Sequence, residues 1–285
     1  MHGRGGLRFQ KPEIYHCGRH TAAGQTRQNP ESGRTIAMLS KDRAVCIRAT
    51  DYSETSQVVT LFARRSGKVR AIAKGSKRAK SAFDGPIEVL SLGDIVFSGT
   101  HKDTLATLTE FQQEPAGLGL RRNLFAMHSA LFAAELLDSL TDELDPHPVL
   151  FDYFAQFLQD VDNQELTSER RDVMIRLILF QIVLLGEAGL HPVLKACANC
   201  RRPLSAEWRE GYFSSAANGL ICRDCEMSFS DKVRFSMKAA NALADLKQLA
   251  DADDKTLDEI ERLLIHHFTH ILGRRPKMAE YVQRG

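Results

Sequence analysis

The sequence predicts an α+β chain of several domains: an N-terminal five-stranded β-barrel, an α-helical domain, and a four-cysteine module inserted before the last helices. Three observations carry that reading. Short apolar runs bounded by turn residues fill residues 43–111, helical periodicity takes over after Pro115, and two Cys-x-x-Cys pairs interrupt the helical region. The 285 residues are 43% hydrophobic and 26% charged, which suits a globular chain with a real core. The longest apolar stretch, from Leu177 to Leu185, is broken by Gln181 and is too short to span a membrane. The first ten residues have no apolar segment after their basic residues, so no secretory signal is read and a cytoplasmic protein is expected.

Residues 1–38 are rich in Gly, Arg, Gln, Thr and Ser and show no period of 2 or 3.6. A disordered extension is expected there, with Met38 as an alternative start. The barrel is expected over 39–115. Residues 44–48, 57–62 and 69–73 read as strands, and Ser66-Gly67-Lys68 marks a tight hairpin. Residues 86–97 make a fourth strand bent at Gly93, and 105–111 alternate as a fifth. This strand count suits an OB-fold barrel, with an SH3-like barrel as the competitor. Helices are expected over 124–140, 149–161 opened by Pro148, and 169–187 capped by Ser168 and ended by Gly189 and Pro192. Two more follow over 236–250 and 255–272. The helical domain thus takes 116–194 and 230–285, and the cysteine module 195–229.

Cys197, Cys200, Cys222 and Cys225 form two knuckles separated by twenty-one residues. A two-residue gap lets both thiolates of a knuckle face one ion, and two knuckles close a tetrahedral site, so a structural Zn²⁺ is expected. Four thiolates leave a catalytic zinc no open position. Paired disulfides do not suit a reducing compartment, and a redox motif needs only one such pair. Residues 209–213 and 219–221 read as the strands of a zinc ribbon whose folding free energy comes from the metal. Cys46 reads as a small core residue, and Cys17 falls in the extension.

Charge is unevenly distributed. Residues 41–80 hold eleven Lys and Arg against three Asp and Glu, whereas 135–172 hold two against eleven. This segregation predicts one face for a polyanion and a separate acidic face. Arg64, Arg65, Lys68, Arg70, Lys74, Lys77, Arg78 and Lys80 lie in seventeen residues without a carboxylate. They are the candidate DNA contacts, with a Gly/Ser-containing loop over 74–80 able to follow a phosphate backbone. Phe62, and less readily Phe83, is a candidate for base stacking, although a strand Phe is more often core. Gly75-Ser76-Lys77 lacks the spacing of a P-loop. No Gly-x-Ser-x-Gly occurs, and the residues yield no catalytic site, so a non-enzyme is expected. His266, His267 and His270 read as part of a packed helix face rather than as metal ligands.

Several segments together resemble the RecO family of bacterial DNA repair and recombination mediators. They are residues 49–56 (ATDYSETS), Val58-Val59-Thr60-Leu61-Phe62, Gly67-Lys68-Val69, residues 73–78 (AKGSKR), the four cysteines, His267-Phe268 and residues 272–277 (LGRRPK). The resemblance covers about 39–280. It implies the OB-fold and zinc module, binding of single- and double-stranded DNA, and annealing of complementary strands. It also implies work with RecR to help load RecA onto DNA coated by single-strand-binding protein, without hydrolysis, in a nucleoid-associated protein. For the acidic, phenylalanine-ended tail of single-strand-binding protein, Arg274, Arg275 and Lys277 beside Phe268, Ile271 and Leu272 are the candidate contacts, although the two arginines could equally complement their own helix end. The alternative is a zinc-ribbon and helical protein-interaction module with no direct DNA role.

Overall fold

Every strand of the barrel pairs on both sides. The computed structural model describes residues 39–285 apart from 79, 84, 100–103, 115, 116, 164, 168 and 285; the expected extension over 1–38 lies outside the described residues. The strands are β1 (Leu39–Asp51), β2 (Gln57–Ala63), β3 (Gly67–Ala73), β4 (Leu92–Ser98) and β5 (Ala106–Gln113). They close in the order β1-β2-β3-β5-β4, with β4 returning to β1. The thirteen-residue β1 serves both neighbours because a bulge between Cys46 and Arg48 bends it. β3 and β5 run parallel from Ala71↔Ala106 to Ala73↔Leu108. This is an OB-like closure, and it removes the SH3-like alternative. The expected strand over 86–91 does not form. Pro86 lacks an N–H and Leu90 has a φ of +73°, so the segment turns instead and is held by Gln57, whose side chain bonds both Ile87 N–H and Ile87 carbonyl.

Alternate residues of the strands fill the barrel, among them Val59, Leu61, Ile95, Phe97 and Phe111, and Cys46 is one of them. Burial pushes the Cys46 thiol up to about 12, which makes it inert packing material. Val45, Ile47 and Phe62 point out of the barrel yet are equally buried, because the helices cover them. The Phe62 ring lies 6.1 Å from that of Phe151.

The helices are α1 (Leu118–Arg122), α2 (Leu124–Leu140), α3 (Pro148–Asp162), α4 (Arg170–Glu187), α5 (Met237–Ala244), α6 (Asp254–Leu272) and α7 (Ala279–Arg284). Asn123 caps α2 through Ala126 N–H, and Asp253 caps α6 through Thr256 N–H. Glu169 and Asp172 form a reciprocal capping box on α4, so the cap is Glu169, and the expected Ser168 falls outside the described residues. The expected helix over 236–250 stops at Ala244, where Asp245 starts a 3-10 turn over 246–251. Sequence periodicity also missed the short α1 and α7.

Within the cysteine region β6 (Gly211–Ser214) pairs with β7 (Gly219–Ile221) and with β8 (Val233–Phe235), the last unforeseen. Trp208, Phe213, Leu220 and Ile221 join the same apolar cluster as α4 and α6. The His267 and Phe213 rings meet nearly at right angles, their centroids 5.1 Å apart. Burial, then the neighbouring His270 and His266, pushes His267 down to about 4, so it is a neutral packing residue at pH 7. His266 and His270 are exposed.

The β2–β3 hairpin is where the barrel meets the helices. Gly67 has a φ of +68°, and a Cβ there would lie 2.3 Å from the Asp145 carbonyl oxygen, so the turn and the close approach both demand glycine. Lys68 is 8% exposed. Its Nζ donates to the carbonyls of Asp138 and Thr141, both at 2.6 Å, and lies 3.3 Å from the Asp138 carboxylate. A helix end leaves carbonyls unpaired and its dipole favours a cation there. Beside this contact Arg64 grips Asp152 at 2.7 and 2.8 Å, and Arg70 reaches Glu143 at 3.5 Å. The expected separation of a basic from an acidic face is therefore corrected: part of each block neutralises the other.

Replacing Lys68 by Met should cost about 2 kcal/mol or more, because two carbonyls lose their donor. Chemical denaturation would measure it, and an equal stability would show that the ammonium is not needed.

A pH dependence follows from Glu261 on α6, which is 1% exposed and accepts from Gln181 Nε2 at 3.0 and 2.9 Å. Burial, against the opposing Gln181 bond, pushes its carboxyl up to about 7 from 4.5. Between those values the unfolded chain has lost its proton and the fold retains it, so this group makes stability fall as pH rises. Glu261→Gln should gain on the order of 1–3 kcal/mol at pH 8 relative to pH 4.5. Thermal melts of both proteins across that range would show parallel profiles if Glu261 titrates normally.

Candidate nucleic-acid surface and metal centre

The basic residues divide into two groups. Towards the helices, Arg64, Lys68 and Arg70 are engaged as described, and Arg65 lies 3.5 Å from the buried Asp42 carboxylate and donates to the Lys41 carbonyl. Lys68 was expected to meet phosphate; its burial against the end of α2 corrects that expectation. Beyond β3, Lys74, Arg78 and Lys80 are exposed and have no ion pair or side-chain hydrogen bond among the described residues. Lys77 is half-buried and bonded to Asp51 at 2.8 Å.

The loop after β3 is ordered by its contacts with the turn between β1 and β2. Lys77 N–H donates to the Thr55 carbonyl at 3.1 Å, and Gly75 N–H donates to Ser56 Oγ at 3.2 Å. Gly75 permits this path with a φ of +75°. The buried Ser76 hydroxyl donates to Gln57 Oε1 at 2.9 Å, on the same amide that holds Ile87. One glutamine therefore anchors both ends of the segment that follows β3. Three unneutralised cations held on a folded loop can take up successive phosphates with little ordering cost. Phe62 and Phe83 are both buried, so neither is available to stack on a base.

The four cysteines converge. Their sulfur atoms all lie within 4.8 Å of one another, and Cys200 Sγ is 3.7 Å from Cys222 Sγ. Thiolates about 2.3 Å from one tetrahedral ion stand about 3.8 Å apart. The surroundings act on the sulfurs in opposite directions. Burial works against the Cys197 thiolate, but backbone N–H groups of Cys200, Cys222 and Asn199 outweigh it and hold this thiol down at about 7. Burial first, and then the adjoining Cys225 thiol, pushes Cys222 up to about 12. So many sulfurs cannot all ionise together without a metal, and the donor set fits one.

At the C-terminal end, Arg274 lies 3.4 Å from Glu135, and the Arg275 guanidinium donates to the Gln283 side-chain carbonyl on α7. Glu135 also accepts the N–H groups of Lys277 and Met278, both at 2.8 Å, and so fixes the start of α7 on α2. These contacts occupy the two arginines, whereas the Lys277 side chain is exposed. Among the described residues no helix is long and apolar enough to cross a membrane.

A family model described as "Recombination protein O N terminal" matches residues 38–114, and "Recombination protein O C terminal" matches residues 121–279. Similar proteins include the DNA repair protein RecO of Rhodopirellula baltica, 31% identical over 215 residues that cover 75% of this chain and 77% of the relative. That of Bacillus pumilus is 29% identical over 256 residues, covering 87% and 94%. That of Alkaliphilus metalliredigens is 31% identical over 237 residues, covering 82% and 88%.

Proposed function

Because the chain belongs to the recombination protein O family of DNA repair proteins, we propose that it is a non-enzymatic recombination mediator that binds single- and double-stranded DNA through its barrel and anneals complementary strands. With RecR it would help RecA onto DNA coated by single-strand-binding protein. The observation that carries this reading is the trio Lys74, Arg78 and Lys80, exposed on an ordered loop and left unneutralised in a chain that pairs many of its other cations. Contacts of this kind act on the backbone and leave base edges free, which is what annealing of any complementary pair requires. Arg64 and Arg65 are exposed at the β2–β3 hairpin, at the other end of β3 from the loop, and Arg70 is exposed on β3. They are secondary contacts in this proposal, available when phosphate competes with Asp152, Asp42 and Glu143. Lys77 contributes mainly by holding the loop to Asp51.

Reversing the charge of Lys74, Arg78 and Lys80 together should weaken binding to single-stranded DNA. It should also make the plot of log affinity against log salt shallower by about two units. A triple variant that binds with the parent slope would move the surface elsewhere.

We also propose that the ion held by Cys197, Cys200, Cys222 and Cys225 is Zn²⁺ in a purely structural role. Elemental analysis of reduced protein should return one zinc per chain. Cys200→Ser should lower that content and speed amide exchange over 195–229 while leaving the salt slope of DNA binding unchanged. A folded parent protein without zinc would overturn the assignment.

A further inference from the structure

We infer that Tyr52 is a stacking platform for an unpaired base, placed beside the phosphate-binding loop so that the barrel distinguishes single-stranded from duplex DNA. The inference rests on the DNA-binding reading above and adds to it a contact that the backbone interactions cannot provide. Tyr52 follows the last residue of β1 and is 68% exposed. Its side chain has no hydrogen-bonding, aromatic or cationic partner among the described residues. Tyr281, the next most exposed aromatic among them, already has a ring partner, with its centroid 5.0 Å from that of His128 and the two planes tilted by 49°.

Placement supports the role. Tyr52 N–H donates to the Ser56 carbonyl at 2.9 Å, and Ser53 Oγ accepts Ser56 N–H at 3.2 Å, so the turn that carries the ring is fixed from within. The same turn receives Gly75 and Lys77 of the basic loop through Ser56 Oγ and the Thr55 carbonyl. Asp51, next to Tyr52, holds the Lys77 ammonium. The ring and the three free cations are therefore presented by two turns bonded to each other at one edge of the barrel. Tyrosine loses few rotamers on binding, so a fixed, exposed ring takes up a base at small entropic cost. Stacking needs a free π-face, which an unpaired base offers and a base inside a duplex does not. A stretch of backbone engaged by Lys74, Arg78 and Lys80 would bring its bases within reach of this edge, independent of sequence.

The test measures binding of the full chain to a single-stranded oligonucleotide, to the same strand in duplex form, and to an oligonucleotide of equal length with abasic sites. Tyr52→Ala should weaken single-strand binding by about fivefold or more, the loss expected for one stacked base. Duplex affinity and the salt slope should stay within about twofold of the parent, because the phosphate contacts are untouched. Tyr52→Phe and Tyr52→Trp should retain single-strand affinity, because the ring and not the hydroxyl makes the contact. The parent should prefer the normal strand over the abasic one, and Tyr52→Ala should have lost that preference. Equal losses on single strand and duplex, a Phe variant as weak as Ala, or no loss at all would overturn the inference. These results leave the DNA-binding reading intact, since that reading fails only if the parent protein shows no salt-dependent binding or the loop variant keeps the parent slope.

Discussion

A lysine ammonium set against the carbonyl end of a helix holds the two halves of this molecule in one arrangement. Lys68 lies in a strand of the barrel, and the carbonyls it satisfies belong to Asp138 and Thr141 at the end of α2. Leu144 N–H returns the bond to the Lys68 carbonyl at 3.0 Å, and Gly67 leaves room for the Asp145 backbone. Neither partner could be left alone at low cost, since a buried charge and unpaired buried carbonyls are each unfavourable. The orientation of the barrel on the helices follows, and with it the burial of Phe62 and Val45 on a face that would otherwise be solvated.

That junction also sorts the charges. Arg64 and Arg70 flank Lys68 and meet Asp152 and Glu143, so the hairpin end of the basic stretch is neutralised inside the chain. The Arg64 guanidinium holds the Asp152 carboxyl below the usual carboxylate range despite some burial. Past β3, at the other end of the stretch, Asp51 takes Lys77, while Lys74, Arg78 and Lys80 stay exposed and without an ion pair among the described residues. Exposed pairs of the Arg64 kind are weak and screened by salt, so phosphate can compete for them; the buried Lys68 cannot be drawn out in the same way.

The cysteine module is bound into the helical core rather than appended to it. Phe213 of β6 packs on His267 of α6, and Trp208, Leu220 and Ile221 belong to the same cluster as the long helices. The cysteines therefore arrange one end of a sheet whose other side already has a core. A metal there sets the path of the two knuckles, while the helices contribute burial that the ribbon's own few apolar residues could not supply.

The sequence by itself determined the order of strands and helices, the spacing of the cysteines, and the segment richest in cations. These depend on local periodicity, turn residues and short-range spacing, which lie within a few residues of one another. It misread 86–91 as strand because the apolar content of Ile87, Val89 and Leu90 is the same whether the chain extends or turns; the decision lies with Gln57, thirty residues away. It grouped eight cations as one surface because charge along a chain carries no information on what packs against it. Only the tertiary structure decided that Lys68 faces a helix end and Lys74 faces solvent. It also decided that Phe62 and Phe83 are core while Tyr52 is displayed. The pairing of Lys68 and Arg70 is set by contacts with residues 70 or more positions away, and no local pattern encodes which of two similar side chains will meet such a partner.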